Sequence, residues 1–265
     1  MSKTFSITKQ RIKKALDEGK RFDSRKPEEF REIVVDYDVS NKAEGSARVK
    51  IGKTEVIAGV KMDVGEPYPD SQEKGNLIVS AEVLPLSSPR VEIGKPGFDS
   101  LEIGRVIDRG LRESGFFDFS GLCIEKGKKV WNIYVDLYTI NDEGNLLDAA
   151  GIAAVAALRN AKFPGYNEET GKADYENPTD KKLPLNEKFP ITISLHKIGN
   201  KFFVDPTREE EDASQTKIIV GSNGSVISSM QKGNEEAIEI EEMNQALDLL
   251  DKAWQDVYKK IEKQL

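Results

Sequence analysis

The stretch "NLLDAAGIAAVAALRNA", residues 145–161, constrains the fold more than any other. Alanine, glycine or a branched aliphatic occupies nearly every position, so no polar face is left to meet water. Helix-forming residues that are apolar all round predict a helix buried on several sides, with other elements packed close against it. A chain of 265 residues is long enough to supply those layers, either as one large domain or as two intimate halves. This helix is expected to be the hub of the core.

Around the hub the pattern alternates between strands and helices. Residues 5–18 pattern as a helix with Phe5, Ile12 and Leu16 as its buried positions, ended by "FDSRKPEEF". A β-rich region follows in "REIVVDYDV" and "GSARVKIGKTEVIAGVKM", with a hairpin turn expected at Gly52-Lys53. "LIVSAEVLP" is a further strand, and "LSSPRVEIGKPGF" is a loop long enough to mark a functional edge. Residues 99–114 read as a helix with Asp99 or Ser100 at its N-cap, followed by strands at 121–125 and 129–140. The polar, proline-containing segment 164–189 is the best boundary between halves. Beyond it, "FPITISLHKIGNKFFVDP" reads as a hairpin turning at Gly199-Asn200, with strands near 216–220 and 225–230. In a last helix, from about 239 to 264, Met243, Leu247, Leu250, Trp254, Val257 and Ile261 form one docking stripe.

What the chain lacks narrows its chemistry. Its single cysteine, Cys123, rules out an internal disulfide and a cysteine-based zinc site, and reads as a small buried hydrophobe. Its single histidine, His196, leaves little material for a catalytic triad or a histidine metal site. Neither a metal nor a cofactor is expected. No window approaches the roughly 20 apolar residues of a membrane span, and mean hydropathy is −0.51. The N-terminus has no secretory pattern, so a cytoplasmic chain is expected. A formal net charge of −7 argues against indiscriminate coating of nucleic acid, although it leaves room for a focused basic site.

Such a focus exists in "GRVIDRGLRES", residues 104–114. Arg105, Arg109 and Arg112, spaced i, i+4, i+7, fall within about 60° of one another on a helix. Ile103, Val106, Ile107 and Leu111 fall on the other side. Guanidinium forks match phosphate oxygens, so a column of them suits a nucleic-acid strand. The competing reading is a solvated face neutralised by Glu102, Asp108 and Glu113.

Several stretches, in order, resemble RNase PH-like proteins: "RFDSRKPEEFREI", "GSARVKIGKTEVIAGV", "LEIGRVIDRGLRESGFFDFSGLCIEKGKKVW", "DEGNLLDAAGIAAVAAL" and "KIGNKFFVDPTREEEDAS". The resemblance runs from about residue 20 to 260 and is nearest to the non-catalytic RNase PH-like subunit of the archaeal exosome. It implies a mixed α/β (α+β) RNase PH-like fold, two sheet-plus-helix halves packed on central helices. The divisions expected are 1–30 for an N-terminal helix and arm, 31–163 for the first half, 164–189 for the polar connection and 190–265 for the second half with its C-terminal helix. It further implies a hexameric ring, a trimer of heterodimers with a catalytic RNase PH-like partner, topped by RNA-binding cap subunits. Such a ring degrades single-stranded RNA from its 3′ end with inorganic phosphate.

The resemblance also implies that this chain has lost the chemistry. Active members carry a "GGTR"-like phosphate-binding segment before the small-residue helix. Here "GNLLDAAG" puts Leu147 at the arginine and Leu146 at the neighbouring hydroxyl. Their Asp-rich segment follows D-x4-E-D-x5-D; counted from Asp205, Glu210 fits, Glu211 replaces an aspartate and Lys217 stands at the catalytic one. "VDPTREEEDAS" thus reads as a solvated loop rather than a metal-binding cluster, and Asp36, Asp63, Asp136 and Asp148 stay unassigned. The resemblance places Arg105 and Arg109 among RNA-binding arginines beside the partner's active site, with Arg112 extending the column. Two other readings stay open. One is a divergent enzyme using Asp212 or Glu211; the other is a pure scaffold whose arginines pair with acids of a neighbouring subunit.

Overall fold

The computed structural model describes residues 4–265. Among the described residues two large sheets form, with the small-residue helix between them, and a two-stranded hairpin lies apart. The first sheet contains β1 (Ile33–Tyr37), β2 (Gly45–Ile51), β3 (Thr54–Gly65), β4 (Asn76–Val83), β5 (Cys123–Glu125) and β6 (Lys129–Asn141). Its order is β1-β2-β3-β6-β4, with β5 on β6. Alternation sets its faces: Val56, Ala58, Val60 and Met62 of β3 are fully buried while the residues between them are half-exposed. The β2–β3 hairpin turns at Gly52-Lys53, as the sequence leads one to expect, pairing Ile51 with Thr54. β4 and β6 are the parallel pair, and a parallel pair needs a crossover. That crossover contains α2, Phe98–Glu113.

The second sheet is antiparallel, in the order β10-β9-β11-β12, from β9 (Ile191–Ile198), β10 (Lys201–Val204), β11 (Thr216–Ser222) and β12 (Ile227–Gly233). All of β9 is buried, because its two faces are both covered. Ser194 meets Asp148 of α3 (Leu146–Asn160), and Lys197 on the alternate face pairs with Glu242 of α5 (Ile240–Ile261).

The composition of α3 follows from this position. A Cβ on Gly45 of β2 would stand 2.4 Å from the Ala157 carbonyl, and one on Gly151 would stand 2.9 Å from Thr192 Oγ1 of β9. The helix backbone therefore approaches a strand on each side, and every residue from Asp148 to Leu158 is buried. Larger side chains would push the two sheets apart.

Four expectations need correction. Phe5 lies outside α1 (Ser6–Asp17) and is 75% exposed; Ile12 and Leu16 alone anchor that helix, against Ile198 and Phe203. Gly97, not Asp99 or Ser100, is the N-cap of α2. Ser100 is buried instead, where its hydroxyl accepts from the Val83 amide at 3.1 Å and ties the helix to β4. Cys123 is half-buried at the start of β5. In α5 the fully buried stripe is Ala246, Leu250, Ala253, Val257 and Ile261, with Met243, Leu247 and Trp254 half-buried at its margin. Alanines let that helix sit close to its sheet, and a hydropathy stripe weighted toward large side chains passes over them.

Segment 164–189 includes a small hairpin, β7 (Gly165–Asn167) with β8 (Lys172–Asp174). It is stitched to the first sheet's surroundings by the Phe117–Leu185 and Lys162–Lys182 bridges and by Tyr175, whose hydroxyl donates to the Met62 carbonyl at 2.7 Å. No helix among the described residues is long and apolar enough to cross a membrane.

Candidate nucleic-acid interface

α2 buries Ile103, Val106, Ile107 and Leu111 and turns its arginines outward. The three arginines are not equivalent. Arg112 is committed: its Nη2 donates to Asp108 Oδ1 at 2.7 Å and to the Leu77 carbonyl at 2.8 Å, and its guanidinium lies 5.9 Å from the Phe119 ring centre. Arg105 and Arg109 are exposed, and among the described residues neither has a hydrogen-bond or ion-pair partner. A shallow groove of about 480 Å³ runs past all three and is also lined by Tyr68, Leu77 and Glu113. Nothing in the sequence singles out Tyr68, which reaches the groove from the loop after β3 and is 55% exposed.

The expected neutralising acids are mostly engaged elsewhere. Asp108 serves Arg112. Glu102 points into the body of the protein, where Lys217 Nζ lies 2.6 Å from its Oε2 and Gln231 Nε2 donates to its Oε1 at 3.0 Å. Only Glu113 stays exposed and without a partner among the described residues, one turn beyond Arg109. The self-neutralised face therefore forms only in part, at Asp108 and Arg112, while Arg105 and Arg109 have no partner among the described residues. The two unpaired arginines are rooted about 6 Å apart along the helix axis, at four residues' rise, on a chain of net charge −7.

Leu147 and Lys217, 70 positions apart, line one cavity of about 780 Å³ between the start of α3, β11 and the loop before α2. Three of its four lysines and arginines are spent internally, and the fourth, Lys95, is exposed on the loop before α2. Arg90 grips Asp212 with both nitrogens at 2.9 Å, Arg208 reaches Asp142 at 3.2 Å and Glu211 at 3.0 Å, and Lys217 holds Glu102. Burial would raise the Asp212 carboxyl, but hydrogen bonds from Arg90 and Thr4 outweigh it and hold the group far below the usual carboxylate range. Burial pushes the Glu211 carboxyl up, against the pull of Arg208. Bound anions need unpaired donors; here Arg90 and Lys217 are engaged by carboxylates, and Arg208 keeps its buried Nε without a partner.

"VDPTREEEDAS" is not a solvated loop. Residues Arg208–Ala213 form α4, opened by a capping box between Thr207 and Glu210. Asp205 is fully buried and accepts from Arg25 Nη1 at 2.7 Å, Arg31 Nη2 at 2.7 Å and Asn145 Nδ2 at 2.8 Å. Glu210 receives Arg21 in a two-pronged pair at 2.6 and 2.9 Å. The sequence hides this because arginines and acids are about 180 residues apart. Its faint trace is the spacing of Arg21, Arg25 and Arg31 in one short arm. The knot joins that arm to α4 and to the entrance of α3, and so shapes the cavity wall.

His196 is buried on β9 with its Nδ1 unpartnered, and burial, reinforced by Lys217 and Arg21, brings its imidazole down to about 3. Asp148, unassigned from sequence, accepts from the Ser194 hydroxyl at 2.7 Å, and burial pushes it up to about 7. Asp148 is fully buried in α3, while His196, itself buried, lines the cavity with Leu147 and Lys217.

Comparison with known proteins agrees with this architecture. Residues 29–164 match the model of the 3′ exoribonuclease family, domain 1, and residues 188–249 match domain 2 of the same family. The exosome complex component Rrp42 of Methanocella arvoryzae is 43% identical over 92% of this chain and 91% of its own length. A chain of an Archaeoglobus fulgidus exosome structure with RNA bound to the active site superposes with a TM-score of 0.86, at 38% identity over 96% of this chain and 98% of that one. A chain of an archaeal exosome core does so with a TM-score of 0.81, at 37% identity over 96% of both. With both halves matched and the sheets superposable over nearly their whole length, the chain belongs to the 3′ exoribonuclease family.

Proposed function

We propose that this chain is a non-catalytic subunit of an exosome ring that degrades RNA from its 3′ end with phosphate. In that role it structures the active site of a catalytic partner of the same family and grips the RNA backbone with Arg105 and Arg109. The observation that carries the reading is the pair of exposed, unpartnered guanidiniums one helical turn apart on α2, both lining one groove. Phosphate-binding donors and a free carboxylate are what phosphorolysis requires. In this chain Leu147 and Lys217 line the corresponding cavity and its arginines are already paired. The same cavity disfavours a self-sufficient enzyme using Asp212 or Glu211, since both carboxylates are held by arginine. The relatives' names and the RNA-bound exosome structure support membership of an exosome complex; in this reading that complex is a trimer of heterodimers with RNA-binding cap subunits, working on single-stranded RNA in the cytoplasm.

The test combines assembly and turnover. The purified chain, the catalytic subunit of the same ring, and their mixture are each measured for mass and for phosphate-dependent release of nucleoside diphosphates from a single-stranded RNA. The expected result is an inert chain, a ring-sized complex in the mixture, and turnover that rises on assembly. Nucleoside diphosphate release by this chain alone would overturn the non-catalytic assignment.

A further inference from the structure

On a helix, Glu102 lies three residues before Arg105 and only about 20° from Arg109 around the axis, so an unrestrained Glu102 carboxylate shares the arginine face. It does not do so here. Its side chain is 8% exposed and is drawn the other way by Lys217 of β11 and Gln231 of β12. The path that Lys217 takes is built into the sheet. Its strand partner is Gly233, and a Cβ there would stand 2.7 Å from Lys217 Cγ and 2.4 Å from its Cε. The lysine stem thus lies across the glycine, in space that any other residue would fill, and delivers its ammonium to α2.

We propose that Lys217 is a positioning residue for RNA binding: by sequestering Glu102 against the second sheet, it keeps the acid from neutralising Arg105. This rests on the reading of Arg105 and Arg109 as RNA-backbone contacts. A lysine in the second half thereby sets the charge that a helix of the crossover presents to RNA. Asp108 stays on the groove but is engaged by Arg112, which leaves Glu113 as the one acid of the helix near the column without a partner among the described residues.

Releasing Glu102 removes one phosphate contact. For a single strand, one contact changes the slope of log affinity against log salt by about 0.7, which is about five-fold in affinity at 0.1 M salt. The experiment measures binding of a single-stranded RNA to the reconstituted ring, without phosphate, across a salt series. Lys217→Met is expected to weaken binding about five-fold and flatten the slope by about 0.7. Lys217→Gln, which fills similar space but gives the acid no cation, is expected to weaken binding in the same direction. Lys217→Met with Glu102→Met removes the tie and the acid together, leaves no unpaired buried charge, and is expected to restore the parent affinity and slope. A mere strut between α2 and the sheet predicts the opposite, a double variant as weak as the single one, and that result overturns the proposal. Parent-like affinity in Lys217→Met, with Arg105→Gln weakened, overturns it too while sparing the RNA-contact reading. An Arg105→Gln ring that binds like the parent overturns both.

Discussion

Replacing both unpartnered arginines, Arg105→Gln with Arg109→Gln, is the perturbation that most directly probes the interface. Neither side chain supports the fold: both are exposed and without partners among the described residues, and surface changes of this kind stay within about 0.5 kcal/mol of the parent stability. The ring should therefore assemble unchanged, which gel filtration verifies before any binding is read. Each guanidinium that neutralises a phosphate of a single strand releases condensed counterion, contributing about 0.7 to the salt slope. Two lost contacts flatten the slope by about 1.4, and at 0.1 M salt this amounts to about 25-fold weaker binding, or about 2 kcal/mol. Arg112 supplies the internal control. Its guanidinium already serves Asp108 and the Leu77 carbonyl, so Arg112→Gln should change RNA affinity less and cost stability instead, about 1 kcal/mol for the lost hydrogen bonds. The assay is fluorescence anisotropy of a labelled oligoribonucleotide in phosphate-free buffer, titrated at salt concentrations from about 50 to 200 mM, the range over which counterion release is steep. An intact double-variant ring with the parent's salt slope refutes the assignment, because no other property of these side chains would preserve it.

Other expectations follow from the interior. Asp205→Ala leaves the Arg25 and Arg31 guanidiniums facing a void and should cost about 3–5 kcal/mol, read as a lowered denaturant midpoint; a loss under 1 kcal/mol would mean the knot is dispensable. Gly151→Val forces a branched side chain into Thr192, against which even a Cβ stands at 2.9 Å, and should destabilise by about 1–3 kcal/mol, visible in the same unfolding curves. Burial lowers His196 from 6.5 to about 3 and raises Asp148 from 3.8 to about 7. Between about pH 4 and 6.5 the unfolded chain binds a proton at His196 that the folded chain refuses, while the folded chain keeps one at Asp148 that the unfolded chain gives up, so these two contributions cancel. Asp148→Asn removes the second, so its stability should fall by about 1.4 kcal/mol for each unit that pH drops within that window. Above pH 7 the same variant should exceed the parent, since the burial penalty of the charged Asp148 is gone. A variant whose denaturant midpoint tracks the parent's across this range would contradict the linkage.

The elements that could be read from the chain are those whose partners are near in sequence or whose pattern has one period. The β2–β3 and β9–β10 hairpins announce themselves by glycine turns between β-branched runs. α3 announces itself by small residues that only a helix packed on both sides needs. The orientation of α2 follows from spacing alone, since 100° per residue sends its aliphatics one way and its arginines the other. Periodicity fails where volume matters more than hydropathy, as with Ala246 and Ala253 on the buried face of α5.

What the sequence by itself determined was therefore the hub helix, the strand pairs on either side of it, and the face on which three arginines emerge. Which of those arginines are free was decided only in three dimensions. Arg112 is claimed by an acid one turn away, yet Glu102, equally near along the helix, is claimed by a lysine 115 residues away. The acidic run after β10 shows the same limit. Read locally it is a solvated loop, because like charges in a row repel and favour water; folded, Asp205 and Glu210 are buried because Arg21, Arg25 and Arg31 arrive from the far end of the chain to neutralise them. Local spacing fixes where a charge points, whereas its electrostatic fate depends on the nearest opposite charge in space, and only the tertiary fold chooses that neighbour.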